Sequence, residues 1–151
     1  MIYYITKGRC YTMRKNSIYL AAPWFTPEQE ELYNHVVRVL RAVFGHEAVY
    51  VPREHDIKDG DNMPNHVWGQ LVFIEDFDAI RACDFVYAID WGFTGDSGTA
   101  WEVGAGYALG KSINIIKPNS VDVQSLMLLG SSKQIYDEHF NLILPYETEW
   151  K

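Results

Sequence analysis

Short apolar runs alternate with longer segments of helical periodicity along this chain, and this alternation restricts the folds it can adopt. The apolar runs are residues 17–22, 48–52, 85–89, 113–116 and 140–144. The segments with helical pattern are residues 26–45, 67–82, 100–109 and 122–129. Strands that alternate with helices form βαβ units with a parallel sheet. We therefore predict an α/β domain with a doubly wound sheet of five mostly parallel strands and helices on both faces.

The first helix carries the clearest local signals. Thr26 precedes Pro27, and Gln29 follows three residues after Thr26, which is the spacing of a capping box. Gly45 stands where the helical periodicity stops. A helix from Thr26 to Gly45 is the prediction.

Charge and composition exclude several classes of function. The chain has 13 basic and 20 acidic side chains, a formal net charge of −7, which argues against a nucleic-acid polymer as partner. No apolar run approaches the roughly 20 residues that span a bilayer, so we expect no membrane association. Cys10 and Cys83 fit neither a disulfide framework nor a metal spacing. These features predict a reduced, cytoplasmic protein.

The amino-terminal segment differs from the rest of the chain. Residues 1–16 contain four basic side chains and no acidic one. They lack the apolar region of a secretory signal. We interpret residues 1–16 as a basic arm or an extra edge strand and residues 17–151 as a single domain. Met13 is an alternative start of the chain.

The segments that follow the predicted strands are the expected location of a binding site. In doubly wound sheets, ligands bind beyond the carboxyl ends of the strands. The segments in that position are residues 23–26, 53–66 and 90–99. The middle one is polar and long for a purely structural connection. Chemistry is therefore expected in these three places.

A glycine-rich turn leads into the third helix and brings two acids with it, Asp96 and Glu102. In one interpretation Thr99 is the N-cap and Glu102 closes a capping box. In the other, the helix N-terminus keeps Glu102 ionised as a nucleophile. The small Gly104 and Gly106 would let a ligand or another backbone approach. The motif alone leaves both interpretations open.

The order of several motifs resembles the nucleoside 2-deoxyribosyltransferase family. The resemblance rests on Ile18–Phe25 (IYLAAPWF), Asp76, the pattern D-x-G-T-A-x-E-x-G over 96–104, and Leu126-Met127. It covers about Ile18 to Gly130, roughly three-quarters of the chain, and leaves residues 1–16 uncovered. It implies a flavodoxin-like fold and transfer of a 2-deoxyribosyl group between nucleobases, without a cofactor or metal.

The resemblance also implies roles for four residues. Glu102 corresponds to the glutamate that forms a covalent sugar ester, and Tyr19 to a tyrosine whose hydroxyl orients it. Asp76 corresponds to an acid near the base, and Asp96 to a residue that contacts the sugar 5′-hydroxyl. From the residues alone, Tyr19 is equally well a core ring and Asp76 an exposed acid of a helix. We take these four as the catalytic candidates.

Further positions are predicted to bind substrate: Trp24, Phe25, Asp56, Gly98, Ser125 and Met127. Trp24 and Phe25 follow the first strand and suit stacking on a base. The family usually has Asn where this chain has Ser125, and Gln in the loop that here reads Glu54-His55-Asp56. Serine at position 125 is closer to the pattern of a related branch, the nucleoside monophosphate hydrolases. The five scattered histidines show no metal spacing.

The resemblance predicts an enzyme that acts on small nucleosides and free nucleobases. Relatives form dimers and hexamers whose sites are shared between subunits, so we expect a homo-oligomer. Two alternatives stay open. One is an N-glycosidase of nucleoside 5′-monophosphates, in which water is the only acceptor. The other is a nucleotide-binding module without catalysis.

Overall fold

The chain forms a single main sheet flanked by helices and preceded by a small hairpin. The computed structural model describes residues 3–6 and 9–143. The strands are β1 (Tyr3–Thr6), β2 (Arg9–Thr12), β3 (Ile18–Ala21), β4 (Val49–Tyr50), β5 (Phe85–Ile89), β6 (Ser112–Lys117), β7 (Gln134–Asp137) and β8 (Leu142–Ile143). The helices are α1 (Pro27–Phe44), α2 (Asn65–Ala82), α3 (Ser97–Ala108) and α4 (Leu126–Ser131).

The main sheet has six strands in the order β4-β3-β5-β6-β7-β8. Its first five strands are parallel to their neighbours, and β8 is antiparallel to β7. When the five parallel strands are numbered 1 to 5 along the chain, their spatial order in the sheet is 2-1-3-4-5, which is the order of flavodoxin-like sheets. The predicted fold class is therefore confirmed.

The strand count differs from the prediction because β7 was not recognised. Its four residues, QIYD, contain only two apolar side chains between polar ones, and only Ile135 is buried. The run 140–144 was predicted as the fifth strand of the sheet. Within the described residues it supplies only the short antiparallel β8, while residue 144 lies outside them.

The predicted start of α1 is confirmed, whereas that of α3 is wrong. At α1, the Thr26 side chain accepts from the Gln29 backbone and the Gln29 side chain accepts from the Thr26 backbone. At α3, the N-cap is Asp96, and the helix begins at Ser97 rather than near Ala100. The Asp96 carboxylate accepts a hydrogen bond from the Thr99 backbone N–H, which stabilises the earlier start.

The two faces of the sheet carry separate apolar cores. On one face, α1 packs against alternate residues of the strands, including Ile18, Leu20 and Ile89. On the other face, residues of α2, α3 and α4 pack against Tyr19, Val86 and other strand residues. Helices therefore lie on both faces, as predicted, and the α2/α3 face is the one that carries the candidate catalytic residues.

The amino-terminal strands β1 and β2 pair with each other in an antiparallel hairpin. They form a two-stranded sheet of their own and do not extend the main sheet as an edge strand. Arg14, just after the hairpin, contacts the Asp84 carboxylate at 2.8 Å. A domain boundary near residue 16 stays a prediction. In the part of the chain that the structure describes, no helix is both long and apolar enough to cross a membrane.

Candidate active site

Tyr19, the second residue of β3, meets Glu102 of α3 on the α2/α3 face of the sheet. Tyr19 lies on β3 with its side chain on the α2/α3 face, and it is fully buried. Its hydroxyl donates a hydrogen bond of 2.8 Å to Oε1 of Glu102 on α3. A buried phenol needs an acceptor, and here that acceptor is the predicted nucleophile. The contact fixes one carboxylate oxygen and leaves the other for a ligand.

The position of Glu102 in α3 excludes the capping-box interpretation. Because the helix begins at Ser97, Glu102 lies in its second turn, and Asp96 is the capping residue. Burial raises the pKa of Glu102 to about 8, and the Tyr19 hydrogen bond opposes that rise. Nearby Asp76 and Asp96 make smaller contributions to this same rise of the pKa. Burial is the largest effect on this carboxyl group and favours its protonated form. The role of Glu102 as an ionised nucleophile stays a prediction.

Asp76 forms a second tyrosine–carboxylate pair beside the first. It is partly buried on α2, and its Oδ1 accepts a hydrogen bond of 3.1 Å from the Tyr50 hydroxyl. Burial raises the pKa of Asp76, while the hydrogen bond from Tyr50 lowers it. Asp76 is thus not the exposed helix acid of the alternative interpretation. A carboxyl group with a raised pKa is suited to carry a proton.

Asp76 and Glu102 line the same cavity, which has a volume of about 310 Å³. This is at the small end of the range for ligand pockets, about 300–1,000 Å³. The remaining lining residues are Phe73, Phe77, Ile80, Gly98 and Trp101. Two carboxyl groups therefore face a largely apolar space. None of these lining residues, all within the described chain, is a lysine or arginine.

Asp96 lies next to this cavity and caps α3. Its Oδ2 accepts from the Thr99 backbone N–H at 2.8 Å and from the Thr99 hydroxyl at 3.2 Å. A Cβ atom at Gly98 would lie 2.9 Å from the same Oδ2. Glycine at position 98 therefore allows the Asp96 side chain to reach its capping position and leaves space at the cavity wall.

Five predicted substrate-binding residues do not line the cavity. Trp24 packs edge-on against Tyr33 on the α1 face, with ring centroids 5.3 Å apart. Asp56 lines a different, polar cavity in the loop 56–65. The other three are Phe25, Ser125 and Met127. Met127 is 83% exposed on α4. Their roles in substrate binding stay predictions.

Sequence reasoning missed Asp90, which joins two loops of this region. Asp90 directly follows β5 and is 2% exposed. Its Oδ1 accepts from the Gly92 N–H at 2.9 Å, and its Oδ2 accepts from the Ser125 N–H at 3.1 Å. The signal was an acid at the end of an apolar strand and before a glycine. Tyr50 and the aromatic wall of the cavity were also missed.

The described residues contain no group of three or more His, Cys, Asp or Glu side chains that could hold a metal ion. Two larger cavities lie elsewhere in the described part of the chain. One of about 730 Å³ is in the loop 56–65, and one of about 510 Å³ lies between α1 and residues 118–120. Neither is lined by a carboxylate that accepts a hydrogen bond from a tyrosine, whereas the smaller cavity is lined by two such carboxylates, Asp76 and Glu102. The smaller cavity is therefore the candidate active site.

Comparison with known proteins identifies the family of this chain. A sequence model of the nucleoside 2-deoxyribosyltransferase family matches residues 18–143. The nucleoside deoxyribosyltransferase of Lactobacillus leichmannii is 26% identical over 115 residues, which are 71% of this chain and 73% of that protein.

Solved structures agree as well. The 2-deoxyribosyltransferase of Bacillus psychrosaccharolyticus superposes with a TM-score of 0.67 at 32% identity, over 79% of this chain and 84% of that one. A CMP N-glycosidase of Clostridium botulinum shares the fold with a TM-score of 0.52 at 19% identity, over 82% of this chain and 92% of that one. The family match spans the strands and helices that position Tyr19, Asp76 and Glu102, so the chain belongs to the nucleoside 2-deoxyribosyltransferase family.

Proposed function

We propose that the protein transfers a 2-deoxyribosyl group from a deoxynucleoside to a free nucleobase through a covalent ester on Glu102. The observation that carries this proposal is the Tyr19–Glu102 hydrogen bond of 2.8 Å in a cavity that Glu102 shares with Asp76. One carboxyl group is oriented for attack and a second is available for proton transfer. No cofactor is needed for this chemistry.

In the first step, Oε2 of Glu102 attacks C1′ of the sugar while the bond from C1′ to the base nitrogen breaks. The electron pair of that bond stays on the base, which takes a proton from Asp76, the second carboxyl group of the cavity. Tyr19 holds Oε1 and so aims the other oxygen. Attack requires the ionised form of Glu102, and positive charge that develops at C1′ favours this form over the protonated one.

In the second step, a nitrogen of the incoming base attacks C1′ and releases the Glu102 carboxylate. The proton on that nitrogen returns to the acid that donated one in the first step. Water can replace the base, in which case the products are the free sugar and the original base. Two successive displacements at C1′ give net retention of configuration.

The N-glycosidase of nucleoside 5′-monophosphates is the second candidate function. Ser125, in place of the asparagine usual in the transferases, is the observation that favours it. The absence of a basic side chain among the described cavity residues speaks against a phosphate ligand in this pocket. A non-catalytic binding module is the third candidate, and the paired tyrosines and carboxylates give it little support, since binding alone does not require them.

We also propose that the protein is a homo-oligomer with sites completed by a neighbouring subunit. Large apolar side chains are exposed on α2, α3 and α4, among them Phe73, Ile74, Trp101 and Met127. Contiguous exposed apolar surface is typical of interaction sites. Light scattering on the eluate of a size-exclusion column is expected to give a mass of at least two chains. A monomer at micromolar concentration would contradict shared sites.

The covalent intermediate is tested by mass spectrometry under denaturing conditions. After incubation with a deoxynucleoside and no acceptor base, we expect one deoxyribosyl adduct on the peptide that contains α3. The reason is that withholding the second substrate leaves only slow hydrolysis of the ester. Glu102→Gln is the matched control and should carry no adduct. An adduct on another peptide, or a product of inverted configuration at C1′, contradicts the two-step scheme.

A further inference from the structure

Tyr50 occupies the centre of a column of three rings beside the catalytic carboxyl groups. Its ring stacks on Tyr19, with centroids 5.5 Å apart and planes 12° apart. The Tyr50 ring also stacks on His55, with centroids 4.1 Å apart and planes 13° apart. Tyr50 is 3% exposed, so the ring cannot reorient without disrupting its neighbours. The column therefore fixes the position of the Tyr50 hydroxyl.

The strand register places the two tyrosines side by side. Tyr19 on β3 and Tyr50 on β4 are partners in the parallel ladder, so their side chains leave the same face of the sheet. The Tyr19 hydroxyl donates to Glu102 of α3, and the Tyr50 hydroxyl donates to Asp76 of α2. Two adjacent phenols thus each hold a carboxyl group of a different helix.

We propose that Tyr50 is a positioning residue that holds Asp76 in place to protonate the departing base. The proposal rests on the function given above and extends it to a residue that does not touch the reacting atoms. By donating to Oδ1 of Asp76, Tyr50 leaves Oδ2 to carry the proton toward the base nitrogen. The stack on Tyr19 keeps this acid at a constant separation from the nucleophile.

The charged groups around Asp76 are consistent with this role. His55, which covers Tyr50, has its Nδ1 at 3.6 Å from Oε1 of Glu75. Glu75 raises the pKa of Asp76 and His55 lowers it, while burial is the largest effect and raises it. The hydrogen bond from Tyr50 lowers the pKa of Asp76, but the net direction is upward. The role of Tyr50 is therefore to orient the acid rather than to raise its pKa.

The test is how the loss of kcat in the variant Tyr50→Phe depends on the leaving group of the substrate. Phenylalanine keeps the stacked ring and loses only the hydroxyl. We expect kcat for deoxyadenosine and deoxyinosine to fall about 10- to 100-fold, since a misplaced general acid forfeits part of its 10²–10⁴-fold contribution. KM is expected to change little. With 4-nitrophenyl 2-deoxyribofuranoside, whose leaving group needs no proton, kcat should stay within about threefold of wild type.

Two control variants make the outcome specific. Tyr19→Phe removes the hydrogen bond to the nucleophile and should lower kcat for both the deoxynucleosides and the nitrophenyl glycoside. Tyr33→Phe alters a buried tyrosine of α1 and should lower kcat for neither. Equal losses on both kinds of substrate in Tyr50→Phe, or no loss on either, would overturn the positioning role. Failure of the proposed function is distinguishable, since wild-type protein would then cleave none of these substrates.

Discussion

Replacing Glu102 with alanine or glutamine is expected to lower kcat for both transfer and hydrolysis by at least about 10³-fold. Losses of this size are typical when the nucleophile of a covalent mechanism is removed. Glutamine keeps the size of the side chain and an oxygen that can accept from the Tyr19 hydroxyl. Its amide cannot form the ester. The measurement is the rate of product formation from deoxyinosine and adenine, followed by chromatography.

Protein stability supplies the control for Glu102→Gln. The pKa of Glu102 is about 8 in the folded protein, above its unfolded value near 4.5. Between these values the folded state binds more protons than the unfolded state, so the stability of wild type falls as pH rises through this window. Glutamine does not titrate, and the variant should therefore be at least as stable as wild type near pH 8 in urea denaturation.

These two measurements separate catalysis from folding. A variant that is folded and inactive identifies Glu102 as the nucleophile. Turnover within tenfold of wild type would instead assign Glu102 a structural role, and the ester mechanism would have to be abandoned. A loss of stability in Glu102→Gln near pH 8 would contradict the burial that raises the pKa of this group.

The fold could be predicted from the alternation of apolar runs and helical segments because β3, β5 and β6 are buried on both sides. The side chains of β3 and β5 are apolar at consecutive positions, and β6 has three isoleucines among its four central residues, so these strands can be recognised in the sequence. β7 lies near the edge and buries only Ile135 fully, so its pattern is too weak to detect. The start of α3 was misplaced because Asp96 and Thr99 are both good N-caps, and only the backbone geometry decides between them.

Part of the candidate site could also be predicted from the sequence. Ligands of doubly wound sheets bind at the carboxyl ends of the strands, so the segment 90–99 with Asp96 was expected at the site. The proximity of Tyr19 and Glu102 was implied by the family resemblance alone. The Tyr50–Asp76 contact was not predictable, because it depends on how α2 rotates and packs against β4. The contact of Trp24 with Tyr33 likewise depends on the path of the chain after β3, which local sequence does not encode.

The choice between nucleosides and their 5′-monophosphates depends on Asp96 and Ser125, which favour opposite substrates. If Asp96 faces the 5′ position, a phosphate dianion within about 4 Å of its carboxylate costs roughly 2 to 8 kcal/mol at effective dielectric constants of 80 to 20. A hydrogen bond from Ser125 to the phosphate returns only about 1.5 to 3 kcal/mol. Repulsion therefore outweighs the gain, and free nucleosides are the expected substrates.

The prediction is that wild type prefers deoxyadenosine over its 5′-monophosphate by at least about tenfold in kcat/KM, a difference of about 1.4 kcal/mol. Asp96→Ser should narrow or reverse this preference, because it removes the repulsive charge and adds a donor. Serine is also a good N-cap, so the Thr99 N–H keeps an acceptor and α3 keeps its start. The measurement is kcat/KM for both substrates on both proteins.

Two further variants isolate the charge at position 96. Asp96→Asn keeps the shape of the side chain and its capping oxygen, and it should narrow the preference by removing charge alone. Glu47→Gln removes the same charge from an exposed position at the amino end of β4 and should leave the preference unchanged. If Glu47→Gln has the same effect, the preference reflects overall charge rather than Asp96. If wild type prefers the monophosphate, the assignment as a transferase of free nucleosides is wrong, and the assignment as an N-glycosidase of nucleoside 5′-monophosphates takes its place.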